Sequence, residues 1–344
     1  MSKKILGVLA AAGCGLATAV HADTAVTENT TVGGKAFIDL TSLDAKANGV
    51  KTAASGFGID VKRFYLIVNH TFDNVWSANL TTDFNYLSAD SETQVFIKKA
   101  YVQAKISDAF WLRAGSADLT WVPFVEENYG YRYVEQELVD RTKFGGTADW
   151  GVHVGGKVAD GKVGYALSLI EGNGYKNPTR SKSLDVEGRL SFIPVKGLTA
   201  AVGFYSGKLG KDVEATATPV MHTATRYNVL LAYAADKFRV GGEYFSADNW
   251  TAVTSTTKDS ANGYSLWGAF NFTNEVSGFL RYDNEKPNKD TAPTKKDDYF
   301  NLGVSMKPRK GVDLAVLYKH DEVKTGAVKT SEYDEFGAWV QVAF

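Results

Sequence analysis

Hydrophobic and polar residues alternate along this chain with a period of two almost from end to end, the spacing of β-strands with one apolar face. The clearest run closes the sequence, where Phe336, Ala338, Val340, Val342 and Phe344 share a face. Trp76, Ala78, Leu80, Thr82, Phe84 and Tyr86 do the same against Ser77, Asn79, Thr81, Asp83 and Asn85. Leu184, Val186, Leu190 and Phe192 oppose Asp185, Glu187, Arg189 and Ser191, and Tyr227, Val229, Leu231 and Tyr233 oppose Arg226 and Asn228. About sixteen such segments can be drawn, from 33–43 to 332–344, each near the ~9–11 residues of a tilted membrane strand. Short connectors such as Phe72-Asp73-Asn74, Asp160-Gly161, Asp236-Lys237 and Asn274-Glu275 take turns with longer polar ones. All seven prolines (Pro123, Pro178, Pro194, Pro219, Pro287, Pro293, Pro308) fall in the predicted loops or turns. That fits, because proline cannot donate to a strand ladder.

This rhythm predicts an all-β fold, a 16-stranded antiparallel transmembrane barrel with short periplasmic turns and long extracellular loops. A soluble sandwich alternates too, with its apolar side in a dry core. Two features favour the barrel. The polar faces carry charges on nearly every strand, as a wet lumen would. Aromatic residues also gather near strand ends: Trp76, Phe110, Phe238, Phe272 and Phe344 at one level, Tyr86, Tyr264, Phe300 and Tyr318 at the other. These are the expected interfacial girdles.

Met1-Ser2-Lys3-Lys4 is followed by an apolar run from Ile5 to Val20 and by Val20-His21-Ala22. The run is too short to span a bilayer and reads as a signal peptide over 1–22, cleaved before Asp23. The remaining 23–344 form one barrel domain in the outer membrane of a Gram-negative bacterium. Ala12-Gly13-Cys14 loosely resembles an acylated lipobox, but Ala11 stands where that motif prefers leucine, so ordinary cleavage is expected. The mature chain then has no cysteine, which excludes disulfide and thiol chemistry. Removal of Lys3 and Lys4 leaves 36 basic against 39 acidic residues, a net of about −3. That balance suits no nucleic-acid partner.

The alternation assigns an inner face. Its basic members are Lys35, Arg63, Lys99, Lys105, Arg113, Lys157, Arg189, Arg226, Arg239, Arg281 and Lys319; its acidic members are Asp39, Asp83, Asp185, Glu187, Glu243, Asp283, Asp313 and Glu335. The phase of the second strand is ambiguous, since Arg63 to Val68 is apolar on both faces, and Lys98 falls on the lipid face, where it would snorkel. The longest connector, 120–148, carries Glu126, Glu127, Glu135, Glu137 and Asp140 among Trp121, Phe124, Tyr129, Tyr131 and Tyr133. Long loops without strand patterning are commonly functional. This third loop is expected to fold inward and constrict the pore, with Arg63, Lys99 and Arg113 facing it across a transverse field. The plainer alternatives are an acidic loop outside in solvent and lumen arginines paired with neighbours such as Asp83.

No enzyme motif is present: no Gly-x-Ser-x-Gly, HExxH or P-loop. His70, His153, His222 and His320 are scattered, and no cofactor or metal is expected. Charged loops at 290–298 and 321–331 are solvated or hold lipopolysaccharide through divalent ions. The function expected from residues alone is diffusion of small hydrophilic solutes and ions with weak charge selectivity. The alternative is a channel selective for anions such as phosphate or for small oligosaccharides.

Two resemblances sharpen this. The terminal segment ending in Phe344 resembles the signal that outer-membrane proteins present to the barrel assembly machinery. Ile97-Lys98-Lys99-Ala100-Tyr101-Val102, Leu112-Arg113-Ala114-Gly115, Pro123-Phe124, Glu126 and Gly151-Val152-His153-Val154-Gly155-Gly156 resemble the phosphate-selective porin O and P family. That likeness covers about a fifth of the chain and implies a sixteen-stranded barrel, a homotrimer, and a lipid bilayer with lipopolysaccharide around it. The family's arginine-rich phosphate ladder has no counterpart here, since the third loop holds only Arg132, Arg141 and Lys143.

Overall fold

The structure, a computed structural model, describes residues 24–87, 92–214 and 220–344. The strands are β1 (Thr24–Thr27), β2 (Thr30–Ala47), β3 (Val50–Lys51), β4 (Gly56–Thr71), β5 (Trp76–Leu87), β6 (Glu92–Ser107), β7 (Phe110–Asp118), β8 (Ala148–Val158), β9 (Val163–Ile170), β10 (Asp185–Phe192), β11 (Leu198–Gly207), β12 (Ala224–Ala234), β13 (Phe238–Asp248), β14 (Ser260–Asn271), β15 (Val276–Lys286), β16 (Lys295–Arg309), β17 (Val312–Thr325) and β18 (Val328–Ala343). β1 and β3 are short additions; the other sixteen form a closed antiparallel barrel in chain order, with β18 pairing to β2. At that seam Gly34 and Phe344 exchange backbone hydrogen bonds of 2.8 and 3.0 Å. The expected signal segment, Cys14 and Pro219 lie outside the described residues, as does the side chain of Tyr86.

The alternation sorts side chains as expected. On β12, Tyr227, Val229 and Leu231 are exposed on the outside, whereas Arg226, Asn228 and Leu230 are buried within. Trp76, Phe110, Phe238, Phe272 and Phe344 are exposed near the short-turn end, and Tyr264 and Tyr318 toward the long-loop end. A closed ladder leaves no unpaired edge for lipid to meet, and an apolar belt between aromatic rims matches a bilayer.

The structure corrects several sequence expectations. The first and last hairpins at the loop end are longer ladders than the apolar pattern suggested. β2 runs to Ala47, and β17 and β18 meet at a tight turn around Gly326-Ala327. There the alternation continues with polar pairs, including Lys46 with Asp44 at 3.5 Å and Lys329 with Glu322 at 2.6 Å. Pro308 lies inside β16, not in a turn. The register slips there between Met306 and Arg309, so no donor is missed.

Two β-bulges change the inner face. Phe37 pairs with Arg63 but Ile38 pairs with Val61, leaving Lys62 as an extra residue. Thr81 pairs with Lys99 but Thr82 pairs with Ile97, leaving Lys98 extra. A bulge puts two successive side chains on nearly the same side. Lys98 therefore points inward, 3.2 Å from the Tyr65 hydroxyl, and not to lipid. Its backbone carbonyl accepts from the Ser116 hydroxyl at 2.8 Å. The first bulge also resolves the phase of β4: Lys62 reaches Asp39, Arg63 reaches Asp83, and Phe64 is exposed outside.

Candidate functional site

The segment between β7 and β8 does not stand out in solvent. Its neck is closed where Leu119 donates to the Thr147 carbonyl at 3.0 Å. It then forms two helices, α1 (Val122–Tyr129) and α2 (Leu138–Arg141). In α1, Val122, Val125 and Tyr129 recur at helical spacing, Pro123 sits in the first turn, and Gly130 ends the helix at φ 83°. That is a left-handed cap, which glycine adopts without strain. In α2 the Glu137 carboxylate accepts from the amides of Val139 and Asp140 at 2.7 and 2.9 Å. Neither helix was anticipated from the sequence. The signal was available in the spacing of Val122, Val125 and Tyr129 between a proline and a glycine.

The apolar side of this loop packs on the inner wall. Trp121, Val122, Val125, Tyr129, Leu138, Val139 and Phe144 meet Ala201, Leu230, Phe245 and Trp267 of β11 to β14. Gly203 is what lets Trp121 lie flat, since a Cβ there would come within 2.4 Å of the indole. Tyr133 and Val134 continue the contact to Phe37, Phe279, Leu317 and Trp339, and Tyr131 stacks on Phe279 at 4.2 Å.

Three of the inward arginines hold the loop's backbone. Arg189 donates to the Thr120 carbonyl at 2.8 Å and lies over the Phe124 ring at 3.7 Å. Arg226 donates to the Phe144 carbonyl and to Glu187; Arg281 donates to the Gln136 carbonyl and to Asp283. Arg226 and Arg281 are sealed beneath the loop. In return the loop's Arg141 reaches three wall carboxylates, Asp283, Asp297 and Asp321, at 3.0, 3.1 and 2.8 Å.

The five loop acids divide as well. Glu135 pairs with Lys319 at 3.1 Å. Burial alone would raise it, but Lys319 and Arg281 outweigh burial and hold its carboxyl at about 2. Glu137 is buried as the α2 cap, and both burial and nearby Glu243 push it well up. Asp140 is bonded by the Gln136 amide and faces Arg132 at 3.9 Å. Glu126, paired with Arg132, and Glu127 remain beside open space.

That space is a cavity of about 260 Å³ between α1 and the wall of β2, β4, β6 and β7. Lys35, Lys98, Lys99 and Arg132 enter it, with Asp118, Glu126 and Glu127. Lys99 is bound to Asp118 at 3.0 Å and Arg132 to Glu126. Lys35 and Lys98 have no carboxylate partner among the described residues. Gly130 and Gln341 line both this cavity and a larger one of about 1150 Å³ toward the short-turn end, into which Arg239 projects. Gly130 and Gln341 thus stand at the border of the two spaces.

Of the three basic residues expected to act together, the structure brings only Lys99 into this cavity. Arg63 is tied to Asp83 at 2.9 Å, and Arg113 is bonded to Gln103 at 2.7 Å and stacked on Tyr101 and Trp111. Lys35 joins Lys99 there from the inner face of β2, and Lys98 joins it because the bulge turns it away from the lipid face that strict alternation predicts.

The sixteen-stranded barrel has counterparts among solved structures. An anion-selective porin from Comamonas acidovorans aligns at TM-score 0.64 and 12% identity, covering 92% of this chain and 99% of that one. The fold is that of the outer-membrane porins. The outer membrane channel DcaP of Acinetobacter baumannii aligns at TM-score 0.67 and 13% identity over 92% of this chain and 97% of its own. The trimer form of OmpT, an outer membrane protein of Vibrio cholerae, aligns at 0.58 and 12% over 92% and 100%. No family model and no curated protein sequence matches the chain, so the porin likeness rests on backbone shape.

Proposed function

We propose that the chain is an outer-membrane channel for diffusion of small hydrophilic solutes and ions, with a preference for anions. The observation that carries this is the pair of lysines, Lys35 and Lys98, that enter the narrow cavity without a carboxylate partner. Charges already neutralised in ion pairs exert little net field, whereas unpaired ones in a confined space attract counter-ions. On this reading the loop 119–147 constricts the pore, and Glu126 and Glu127 form the acidic side of the filter. The arginine-rich ladder of the phosphate-selective porin O and P family has no counterpart here, so the proposed preference is for small anions in general. Among the solved relatives, one is described as an anion-selective porin.

The accompanying assignments follow from the same reading. The short turns face the periplasm and the long loops the exterior; the chain is exported with a cleaved signal and assembled as a homotrimer, as one related structure is. The exposed Phe344 segment engages the barrel assembly machinery, and lipopolysaccharide surrounds the loop end. The test is planar-bilayer recording of the refolded mature protein across a KCl gradient. Current steps in threes with a reversal potential favouring chloride support the proposal. Cation preference would reject the anion filter, and the absence of current from folded, inserted protein would reject the channel.

A further inference from the structure

Outside the pore, a second constellation stands on the outward face at the loop end of the last hairpin. His320 on β17 and Asp334 on β18 are direct register partners, and Asp334 is in turn the partner of Asp44 on β2 across the closing seam. One row further out, Glu322, Glu332 and Lys46 are aligned in the same way. The row below is Tyr318 and Phe336, both exposed in the aromatic rim. His320, Glu332 and Asp334 each offer a ligand atom within 4.8 Å of the other two.

The hydrogen bonds already made leave ligand atoms open. His320 Nδ1 lies 2.8 Å from Asp334 Oδ1, and the Tyr318 hydroxyl donates to that same oxygen. In the tautomer protonated at Nε2, Nδ1 turns its lone pair toward the Asp334 carboxylate, so one ion can take both atoms, while the Tyr318 hydroxyl orients that carboxylate from the second sphere. Asp334 Oδ2 has no bond among the described residues, and Glu332 is held only by Lys329, 3.2 Å from Oε2. Lys329 keeps Glu322, at 2.6 Å, if Glu332 turns away.

We infer that His320, Glu332 and Asp334 form a binding site for one borderline divalent transition ion of the Zn²⁺ class. One imidazole and two carboxylates suit that class over the hard, oxygen-only preferences of Mg²⁺ and Ca²⁺. Three protein ligands leave a coordination position open to water or to an anionic group outside the wall. The ion joins β17 to β18, next to the seam with β2, and so braces the hairpin that closes the barrel. It does not touch the pore, so the inference stands apart from the channel reading.

The test is calorimetric titration of untagged, refolded protein in a non-ionic detergent with Zn²⁺. The expected result is about one saturable equivalent per chain, weakened at least about tenfold in His320→Ala and in Asp334→Asn, and not displaced by a large excess of Mg²⁺. Zn²⁺ should also raise the heat-unfolding midpoint of the native protein but not of His320→Ala, whereas conductance is unchanged in both. Should no saturable binding occur, should the two variants bind as the native protein does, or should Mg²⁺ displace Zn²⁺ readily, the site does not exist as described. Because the altered side chains face outward, both variants fold. If either fails to, Glu332→Gln under the same titration decides.

Discussion

Lys35 and Lys98 offer the sharpest test of which charges a permeating ion feels. Lys35→Met keeps the length of the side chain and removes one charge that no carboxylate balances, so no orphaned anion is left behind. A unit charge in contact with a permeant anion at about 4 Å is worth about 1 kcal/mol in water, or roughly a fivefold change in local anion occupancy. The effect is larger if confinement lowers the local dielectric. Each single substitution, Lys35→Met or Lys98→Met, should therefore lower the anion-to-cation permeability ratio about fivefold, and the double substitution should reverse the preference. The ratio is read from reversal potentials at salt concentrations near 0.1 M, where the screening length is ~10 Å; at 1 M the difference should shrink. The control is the paired removal Arg63→Met with Asp83→Asn, which deletes a neutral couple of 2.9 Å and should leave the ratio within about twofold. The reasoning fails if the lysine variants keep the native ratio while the paired control shifts it.

Other consequences are accessible to simpler assays. Arg226→Ala leaves buried Glu187 without its ionic partner, held only by the Thr120 amide and hydroxyl, and frees the Phe144 carbonyl. A loss of about 3–5 kcal/mol is expected, seen as earlier unfolding in denaturant together with larger, noisier conductance; native stability would show that the loop is held by packing alone. Burial raises both Glu126 and Glu127, with Asp118 adding to the effect on Glu127, while Arg132 and Arg189 oppose it. A carboxyl with a raised value takes up its proton at higher pH than a free glutamate. Anion preference should therefore grow as pH is lowered from 7 toward 5, and Glu126→Gln with Glu127→Gln should flatten that profile. Phe344 covers Gly34 at the seam. Phe344→Ala should reduce the yield of heat-modifiable folded barrel on semi-native gels, and equal yield would remove any role for the ring in closure.

The fold was legible because a membrane barrel writes its two solvents into every strand. Tyr227, Val229 and Leu231 face outward and Arg226 and Asn228 inward in the structure as in the pattern. What the pattern could not carry was the change of phase at a bulge, where period two breaks. The sequence nonetheless holds a clue. Lys62-Arg63 and Lys98-Lys99 are basic doublets inside strands, and strict alternation would force one member of each into hydrocarbon at a cost of about 2–4 kcal/mol near mid-membrane. A bulge removes that cost by turning both inward. The loop was legible as long, acidic and aromatic; that its aromatics fill the barrel interior depends on small residues far away in sequence, such as Gly203 and Ala201, which no local window connects to Trp121.

Counting inner-face charges gave eleven basic residues against eight acidic ones, yet the count does not describe what a solute meets. On the wall from β10 to β17 the charges are spent on structure: Arg189, Arg226 and Arg281 hold loop carbonyls, while Asp283, Asp297 and Asp321 hold Arg141. The buried pairs among them, Arg226 with Glu187 and Arg281 with Asp283, present less field than unpaired charges do. Lys35 and Lys98 instead enter the space left between α1 and the opposite wall, with no carboxylate partner among the described residues. On the proposed reading the same loop does two things at once: it covers the charges on one half of the lumen, and it narrows the remaining half around Lys35 and Lys98. Moving the loop would alter both, which is why substitutions at its anchors and at the free lysines should give different signatures. Anchor variants should change pore size and noise, and lysine variants should change selectivity at nearly constant conductance.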